Sequence, residues 1–158
     1  MDAHFSDSAL RQLSNLRENA HRQRTIPMVN SKAVLTVLVV DDEALLRWSL
    51  GEMLRRSGHT VIEATSAGGA RDAVSHASGP IDVVLLDYRL PDSNDMDLLE
   101  EIRRRLPRCA VVLMTAFGTP EMVQGALDLG VYCVLSKPFD MHDVEGLITE
   151  AHRASRYH

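Results

Sequence analysis

Cysteine and aromatic residues are scarce in this chain of 158 residues. It contains two cysteines, one tryptophan, three tyrosines and three phenylalanines. Two cysteines, Cys109 and Cys133, cannot build a disulfide framework, so the fold has to depend on a hydrophobic core. Apolar residues make up 45% of the chain and charged residues 25%, the balance of an ordinary globular protein.

Positive charge and long apolar runs are lacking as well. The formal net charge is -5, which argues against a domain that mainly binds nucleic-acid phosphates, and we expect no direct nucleic-acid binding. No stretch approaches the roughly 18 apolar residues that a membrane span needs. The first ten residues lack the apolar segment of a signal peptide. We therefore expect a cytoplasmic protein that makes no membrane contact.

The character of the sequence changes near residue 33. Residues 1–32 carry five basic and three acidic side chains, and leucines spaced by three over residues 6–24 are compatible with a helix. We predict an N-terminal extension over 1–32, a domain over 33–153 and a short tail over 154–158. The extension is interpreted as a loosely docked arm; the alternatives are a dimerisation or partner helix and, last, a nucleic-acid-binding arm.

Strand and helix patterns alternate five times after the extension. Apolar, strand-length segments predict strands at 34–40, 59–64, 81–86, 110–114 and 131–135. Helical spacing predicts helices at 43–57, 67–77, 97–106, 120–130 and 140–153. Parallel strands need crossover connections, so this alternation predicts an α/β fold: a doubly wound parallel sheet with helices on both faces.

Polar residues stand at the ends of four of these strands. Asp41 and Asp42 follow the first strand, Asp87 the third, Thr115 the fourth and Lys137 the fifth. In a doubly wound sheet such positions meet at one edge. Neighbouring carboxylates repel one another unless a cation lies between them, and an all-oxygen site suits Mg²⁺. Together with a lysine and a hydroxyl, they predict a site for phosphoryl transfer to a carboxylate.

Four motifs resemble the receiver domain of two-component response regulators, the CheY-like superfamily. They are VVDDE at 39–43, LLDYRLP at 85–91, MTA at 114–116 and SKPF at 136–139. The resemblance extends over about residues 34–153. It implies a flavodoxin-like fold with five parallel strands in the order 2-1-3-4-5.

The resemblance also implies roles for the acidic residues. Asp87 would accept the phosphoryl group. Asp42 and Asp87 would hold Mg²⁺ together with the backbone carbonyl of Arg89, and Asp41 would belong to the metal site through a water molecule. The phosphoryl donor would be a histidine kinase or a phosphotransfer protein, and the chain would act as a switch rather than as an enzyme.

Further residues would report the phosphorylated state in such a domain. Thr115 and Lys137 would bind the phosphoryl group, and the peptide bond between Lys137 and Pro138 is expected to be cis. Many receivers carry an aromatic switch residue where this chain has Val134. Tyr132 lies two residues earlier on the same side of the strand, and whether it replaces that aromatic residue stays open.

Partner surfaces can be proposed from the same pattern. Trp48 falls nearly opposite the apolar face of the first helix, with Leu45 beside it, which indicates a contact surface. By resemblance, kinases and phosphotransfer proteins dock there; cover by residues 6–24 and simple exposure are the alternatives. A downstream protein would bind the face formed by the fourth helix, fifth strand and fifth helix, and a homodimer is possible.

Two other functions compete with a receiver that acts by protein contact alone. The sequences of residues 87–95 and 117–121 are most similar to receivers of the NtrC type, so the chain could be the receiver part of such a transcriptional regulator. However, it has no Walker-type phosphate loop, and we expect no output domain. A Mg²⁺-dependent phosphohydrolase of the haloacid-dehalogenase type would need a second aspartate where Arg89 stands.

Two of the histidines, His59 and His76, are expected at the surface.

Overall fold

Five strands alternate with five helices in the part of the chain that the structure describes. The computed structural model describes residues 32–94 and 96–157, so the predicted extension and its helix over 6–24 lie outside the described residues. The strands are β1 (Thr36–Val40), β2 (Thr60–Ala64), β3 (Val83–Asp87), β4 (Ala110–Thr115) and β5 (Cys133–Ser136). The helices are α1 (Ala44–Arg56), α2 (Ala67–His76), α3 (Asp97–Arg105), α4 (Pro120–Asp128) and α5 (Met141–Ser155).

All five strands form one parallel sheet in the order β2-β1-β3-β4-β5. The predicted order 2-1-3-4-5 is thereby confirmed. The register pairs Val40 with Leu86 and Asp87 with Met114, and it pairs Thr115 with Ser136. The carboxyl ends of the central strands therefore lie side by side.

The two faces of the sheet are covered by different helices because side chains alternate along each strand. Leu38 and Val40 of β1 pack in one core cluster with apolar residues of α2, α3 and α4. Val37 and Val39 of the same strand pack in a second cluster with residues of α1 and α5. Helices thus lie on both faces, as the alternation of elements predicts.

Helix ends follow recognisable local signals. Thr119 caps α4 by accepting a hydrogen bond from the backbone N–H of Met122, and Pro120 occupies the first turn, where its missing N–H costs nothing. Gly58, just after α1, has a φ of 92°, and Gly130, just after α4, has a φ of 86°. Both positions use the left-handed conformation that glycine adopts without strain.

The position of one histidine was predicted wrongly. His59 is buried, with 5% of its surface exposed, whereas His76 is exposed as predicted. The backbone N–H of Leu35 donates a hydrogen bond of 3.1 Å to Nδ1 of His59. That bond compensates part of the cost of burying a polar ring.

None of the described helices is long and apolar enough to cross a membrane. Both cysteines are free, and burial raises the pKa of the Cys109 thiol to about 12, which makes it an unreactive core residue. The domain limits at residues 33 and 153 stay a prediction.

Candidate functional site

The structure brings the five predicted polar residues to one edge of the sheet. Asp87 and Thr115 are the last residues of β3 and β4, while Asp41 and Asp42 follow β1 and Lys137 follows β5. One carboxylate oxygen from each of the three aspartates lies within 4.8 Å of the others. Asp41 and Asp87 are buried and Asp42 is exposed, so the cluster opens to solvent on one side.

Asp41 is the most enclosed of the three carboxylates. It has no exposed surface, and both of its oxygens have partners: Oδ1 accepts from the backbone N–H of Glu43 at 2.8 Å, and Oδ2 from Nζ of Lys137 at 2.8 Å. Arg47 donates a further hydrogen bond to its backbone carbonyl at 2.9 Å. These bonds fix the start of α1 against the end of β1.

Asp87 lies in an environment that opposes its negative charge. Burial, and then the neighbouring charge of Asp41, raise the pKa of Asp87 to about 6. The opposite influences are weaker: Nζ of Lys137 and the backbone N–H of Arg89 each lie 3.4 Å from Oδ1 of Asp87. The carboxylate is therefore ionised at neutral pH but poorly compensated, and a cation bound there would relieve it.

Lys137 connects the acidic residues. Its ammonium group contacts Asp41 and Asp87, and it also donates a hydrogen bond of 3.0 Å to Oε1 of Glu43. Burial disfavours the charged form of Lys137, but the hydrogen bonds to Asp41 and Glu43 outweigh it and raise its pKa above the usual range. Glu43 is part of the first sequence motif, at 39–43, but it was not predicted to be a member of the acidic site.

Thr115 stands next to this cluster and is almost fully buried. Its Oγ1 accepts a hydrogen bond from the backbone N–H of Phe117 at 3.2 Å, and its hydroxyl hydrogen remains available to a ligand oxygen. The backbone carbonyl of Thr115 accepts from the N–H of Lys137 at 2.7 Å, which ties the ends of β4 and β5 together. The predicted cis bond between Lys137 and Pro138 is confirmed.

The donor set fits a hard divalent cation. The cluster offers carboxylate oxygens of Asp41, Asp42 and Asp87, and Arg89 stands two residues after Asp87 with its N–H directed to that carboxylate. Oxygen ligands with few protein carboxylates are what Mg²⁺ prefers, with water completing its coordination. Among the described residues, this is the one cluster of three or more acidic, histidine or cysteine side chains whose ligand atoms lie close enough together to hold a metal ion.

The two candidate switch residues on β5 lie in different surroundings. Val134 is half-buried and packs against the core cluster that contains Leu113. Tyr132 precedes β5, is 39% exposed and donates its backbone N–H to Val111. Thr115 pairs with Ser136, four residues further along, so the backbone of Tyr132 lies about 13 Å from that end of the sheet. The structure does not bring Tyr132 to the acidic cluster.

The predicted partner residues of α1 are exposed. Trp48 has 58% and Leu45 76% of its surface exposed. Both positions match the outward placement expected from helical spacing. Their role stays a prediction, and the alternative cover by residues 6–24 lies outside the described residues.

Sequence comparison decides the family. The family model of the response regulator receiver domain matches residues 37–149. This stretch contains all five strands except Thr36, the first residue of β1. The chain belongs to the response regulator receiver family. Receiver domains are signalling modules of two-component systems, and the predicted resemblance is thereby confirmed.

Relatives of this receiver domain come from different kinds of regulator. It is 35% identical over 116 residues to the DNA-binding transcriptional regulator NtrC of Rhizobium meliloti, covering 73% of this chain and 24% of NtrC. It is 29% identical over 121 residues to sporulation initiation phosphotransferase F of Bacillus subtilis, covering 77% and 93%. A receiver domain of Clostridium thermocellum has the same fold, with a TM-score of 0.70 and 29% identity over 78% of this chain and 98% of that one.

Coverage differs strongly among these proteins. The chain spans between 24% and 52% of the length of several of the curated relatives it matches. What such longer proteins do as a whole depends on parts that these alignments do not include. The comparisons therefore establish a receiver domain, and its signalling chemistry has to be argued from the site.

Proposed function

We propose that this receiver domain is a phosphorylation switch in which Asp87 accepts a phosphoryl group from a histidine kinase or a phosphotransfer protein. The observation that carries the proposal is the cluster of three carboxylates within 4.8 Å of one another, with the ammonium group of Lys137 3.4 Å from Asp87. Such a cluster is poorly compensated by itself. It becomes favourable when cations and a phosphoryl group enter it.

Asp87 is the best nucleophile of the three aspartates. It sits at the centre of the sheet edge between β1 and β4, and both of its neighbours, Asp41 and Lys137, are already bonded to each other. An oxygen of Asp87 would attack the phosphorus, the P–O bond would form, and the P–N bond of the phosphohistidine would break. Mg²⁺ held by Asp41, Asp42, Asp87 and the carbonyl of Arg89 would neutralise negative charge on the moving group.

Two side chains would hold the phosphoryl oxygens after transfer. The hydroxyl of Thr115 has its hydrogen free for an acceptor, and Lys137 lies close enough to exchange part of its contact with Asp41 and Glu43 for one with the new dianion. Because the N–H of Lys137 binds the carbonyl of Thr115, a shift of either residue is transmitted to β5 and the start of α5.

The output proposed for this switch is contact with another protein. The face formed by α4, β5 and α5 would bind the downstream target, Trp48 and Leu45 on α1 would contact the phosphoryl donor, and a homodimer is a further possible assembly. We keep the cytoplasm as the proposed location and expect no activity as an enzyme beyond slow hydrolysis of its own acyl phosphate.

A second candidate is that the chain is the receiver part of an NtrC-type transcriptional regulator. The identity of 35% to NtrC favours it. The two candidates share the same chemistry at Asp87 and differ in the target of the α4, β5 and α5 face. A phosphohydrolase is less well supported, because Arg89 occupies the position of the aspartate that would act as acid and base.

The proposal is tested by incubation with acetyl phosphate, with and without Mg²⁺, on a phosphate-affinity gel. We expect a shifted band for the wild-type chain that requires Mg²⁺ and disappears in Asp87→Asn. Asp72→Asn is the matched control, since Asp72 is an exposed aspartate on α2 and has no part in the site. A shifted band that survives in Asp87→Asn, or no band with wild type under any condition, would contradict the proposal.

A further inference from the structure

One carboxylate outside the acidic cluster makes an unusual contact. Asp92 lies in the loop that follows β3, five residues after Asp87. Its Oδ1 accepts a hydrogen bond of 2.8 Å from the backbone N–H of Ala67, and its Oδ2 accepts one of 2.9 Å from Gly68. Both donors belong to the first turn of α2, a helix that supplies no residue to the site.

These two bonds complete the start of α2. The first N–H groups of a helix have no partner inside the helix. Here Ser66 accepts from Gly69 with its side chain at 3.0 Å, and its carbonyl accepts from Ala70. The two remaining groups bind Asp92. The hydrogen bonds from Gly68 and Ala67 lower the pKa of Asp92, so its charge persists at the positive end of the helix.

The loop is therefore fixed at both of its described ends. Near β3, the backbone N–H of Tyr88 donates to the carbonyl of Met114 at 2.8 Å, and Leu90 is buried in the core cluster. At the other end, Asp92 is bonded to α2, whose residues Ala67 and Ala70 are fully buried. Arg89, whose carbonyl is a proposed metal ligand, lies between Tyr88 and Leu90, three residues before Asp92.

We propose that Asp92 is a positioning residue for the metal site: by bonding to the first turn of α2, it holds the loop in the conformation that directs the carbonyl of Arg89 towards the cluster. The inference rests on the proposed function, because the role of the Arg89 carbonyl belongs to it. It adds a physical link between α2 and the site.

The test uses Asp92→Asn and Ser66→Ala in the full chain. Asn keeps the shape of the side chain but replaces one acceptor oxygen with an NH₂ group that faces a backbone N–H. Ser66→Ala removes a cap from the same helix without touching the loop, so it is the matched control for a mere loss of helix stability. Mg²⁺ is titrated while amide shifts are followed by NMR, and amide hydrogen exchange of residues 88–90, 92 and 93 is measured without Mg²⁺.

We expect Asp92→Asn to weaken Mg²⁺ binding by about tenfold, the low end for residues that position metal ligands. Exchange of the loop amides is expected to be faster in Asp92→Asn, and Ser66→Ala is expected to match wild type in both measurements. Equal effects of the two variants, or wild-type behaviour of Asp92→Asn, would overturn the inference. If Mg²⁺ leaves the amide shifts of wild type unchanged, the proposed function fails. In that case, unchanged exchange of the loop amides in Asp92→Asn would separately overturn the proposed role of Asp92 in holding the loop.

Discussion

At the scale of single residues, the site is defined by charges that destabilise one another. Asp41 satisfies its own charge through Lys137 and the N–H of Glu43, and this leaves Asp87 with a contact of 3.4 Å to an ammonium group that is already engaged. Burial then raises the pKa of Asp87. The ionised carboxylate of Asp87 therefore destabilises the folded state at the position that is proposed to react.

This imbalance predicts a pH-dependent gain of stability in Asp87→Asn. The pKa of Asp87 is about 6 in the folded chain against 3.8 for the ordinary side chain, so the folded state binds the proton more tightly. The contribution of Asp87 to stability is complete below about pH 4 and is lost as the pH rises through about 6. Without Mg²⁺, we expect Asp87→Asn to raise the free energy of unfolding by roughly 1–3 kcal/mol at neutral pH.

Urea unfolding at about pH 7.5 and about pH 4.5 checks this prediction. The gain is expected to shrink strongly at the lower pH, where wild-type Asp87 is mostly protonated. Asp72→Asn serves as the control and should change stability little at either pH. A gain that is equal at both pH values would show that charge at Asp87 is not its cause.

The site residues could be predicted from sequence to different degrees for physical reasons. Asp41, Asp87, Thr115 and Lys137 stand at strand ends, and the topology alone brings strand ends together. Glu43 was missed because its contact with Lys137 depends on a side-chain rotamer, which no pattern of spacing specifies. His59 was misplaced because a single backbone N–H, that of Leu35, makes its burial favourable.

At the scale of elements, periodicity predicted the type of every described strand and helix. The boundaries differ by one or two residues at most ends, because terminal turns depend on caps and on pairing rather than on hydrophobic spacing. The prediction for β5 began at Val131, whereas the strand begins at Cys133. Tyr132 therefore lies before the strand, a difference that matters for its proposed role as a switch residue.

Helix α1 gives a prediction about its exposed face. Trp48 and Leu45 are largely exposed, while Leu50 and Leu54 on the opposite face are fully buried. We expect Trp48→Ala to change the free energy of unfolding by less than about 0.5 kcal/mol, whereas Leu54→Ala should cost about 2–5 kcal/mol. Urea unfolding of the two variants checks the contrast.

Acrylamide quenching of the single tryptophan in wild type gives a second readout of the same face. Efficient quenching is expected for an exposed indole ring. A shielded Trp48 together with a large loss of stability in Trp48→Ala would contradict an open docking surface and favour cover by another part of the chain.

At the scale of the whole molecule, the strand order explains why residues far apart in sequence form one site. Asp41 and Lys137 are separated by 96 positions, yet their side chains share a hydrogen bond of 2.8 Å. The order β2-β1-β3-β4-β5 places β3 at the centre, so Asp87 receives neighbours from both sides. The helices on the two faces hold this edge in place through two separate core clusters.

Because the acidic cluster belongs to the folded state alone, Mg²⁺ is expected to stabilise the whole domain. A cation that binds the folded chain adds RT ln(1 + [Mg²⁺]/Kd) to its stability, about 1.4 kcal/mol at tenfold excess over Kd. For a domain of this size that corresponds to a rise in Tm of about 3–6 °C. Asp42→Asn should lose most of the rise, since it removes the exposed carboxylate of the cluster.

Thermal unfolding followed by circular dichroism, with Mg²⁺ or with NaCl of equal ionic strength, separates this effect from general screening. NaCl should give a much smaller shift, because partly buried charges are screened less than exposed ones. Asp72→Asn should respond to Mg²⁺ as wild type does. An equal rise in Asp42→Asn and in wild type would mean that Mg²⁺ acts elsewhere on the molecule, and the acidic cluster would then not be the metal site.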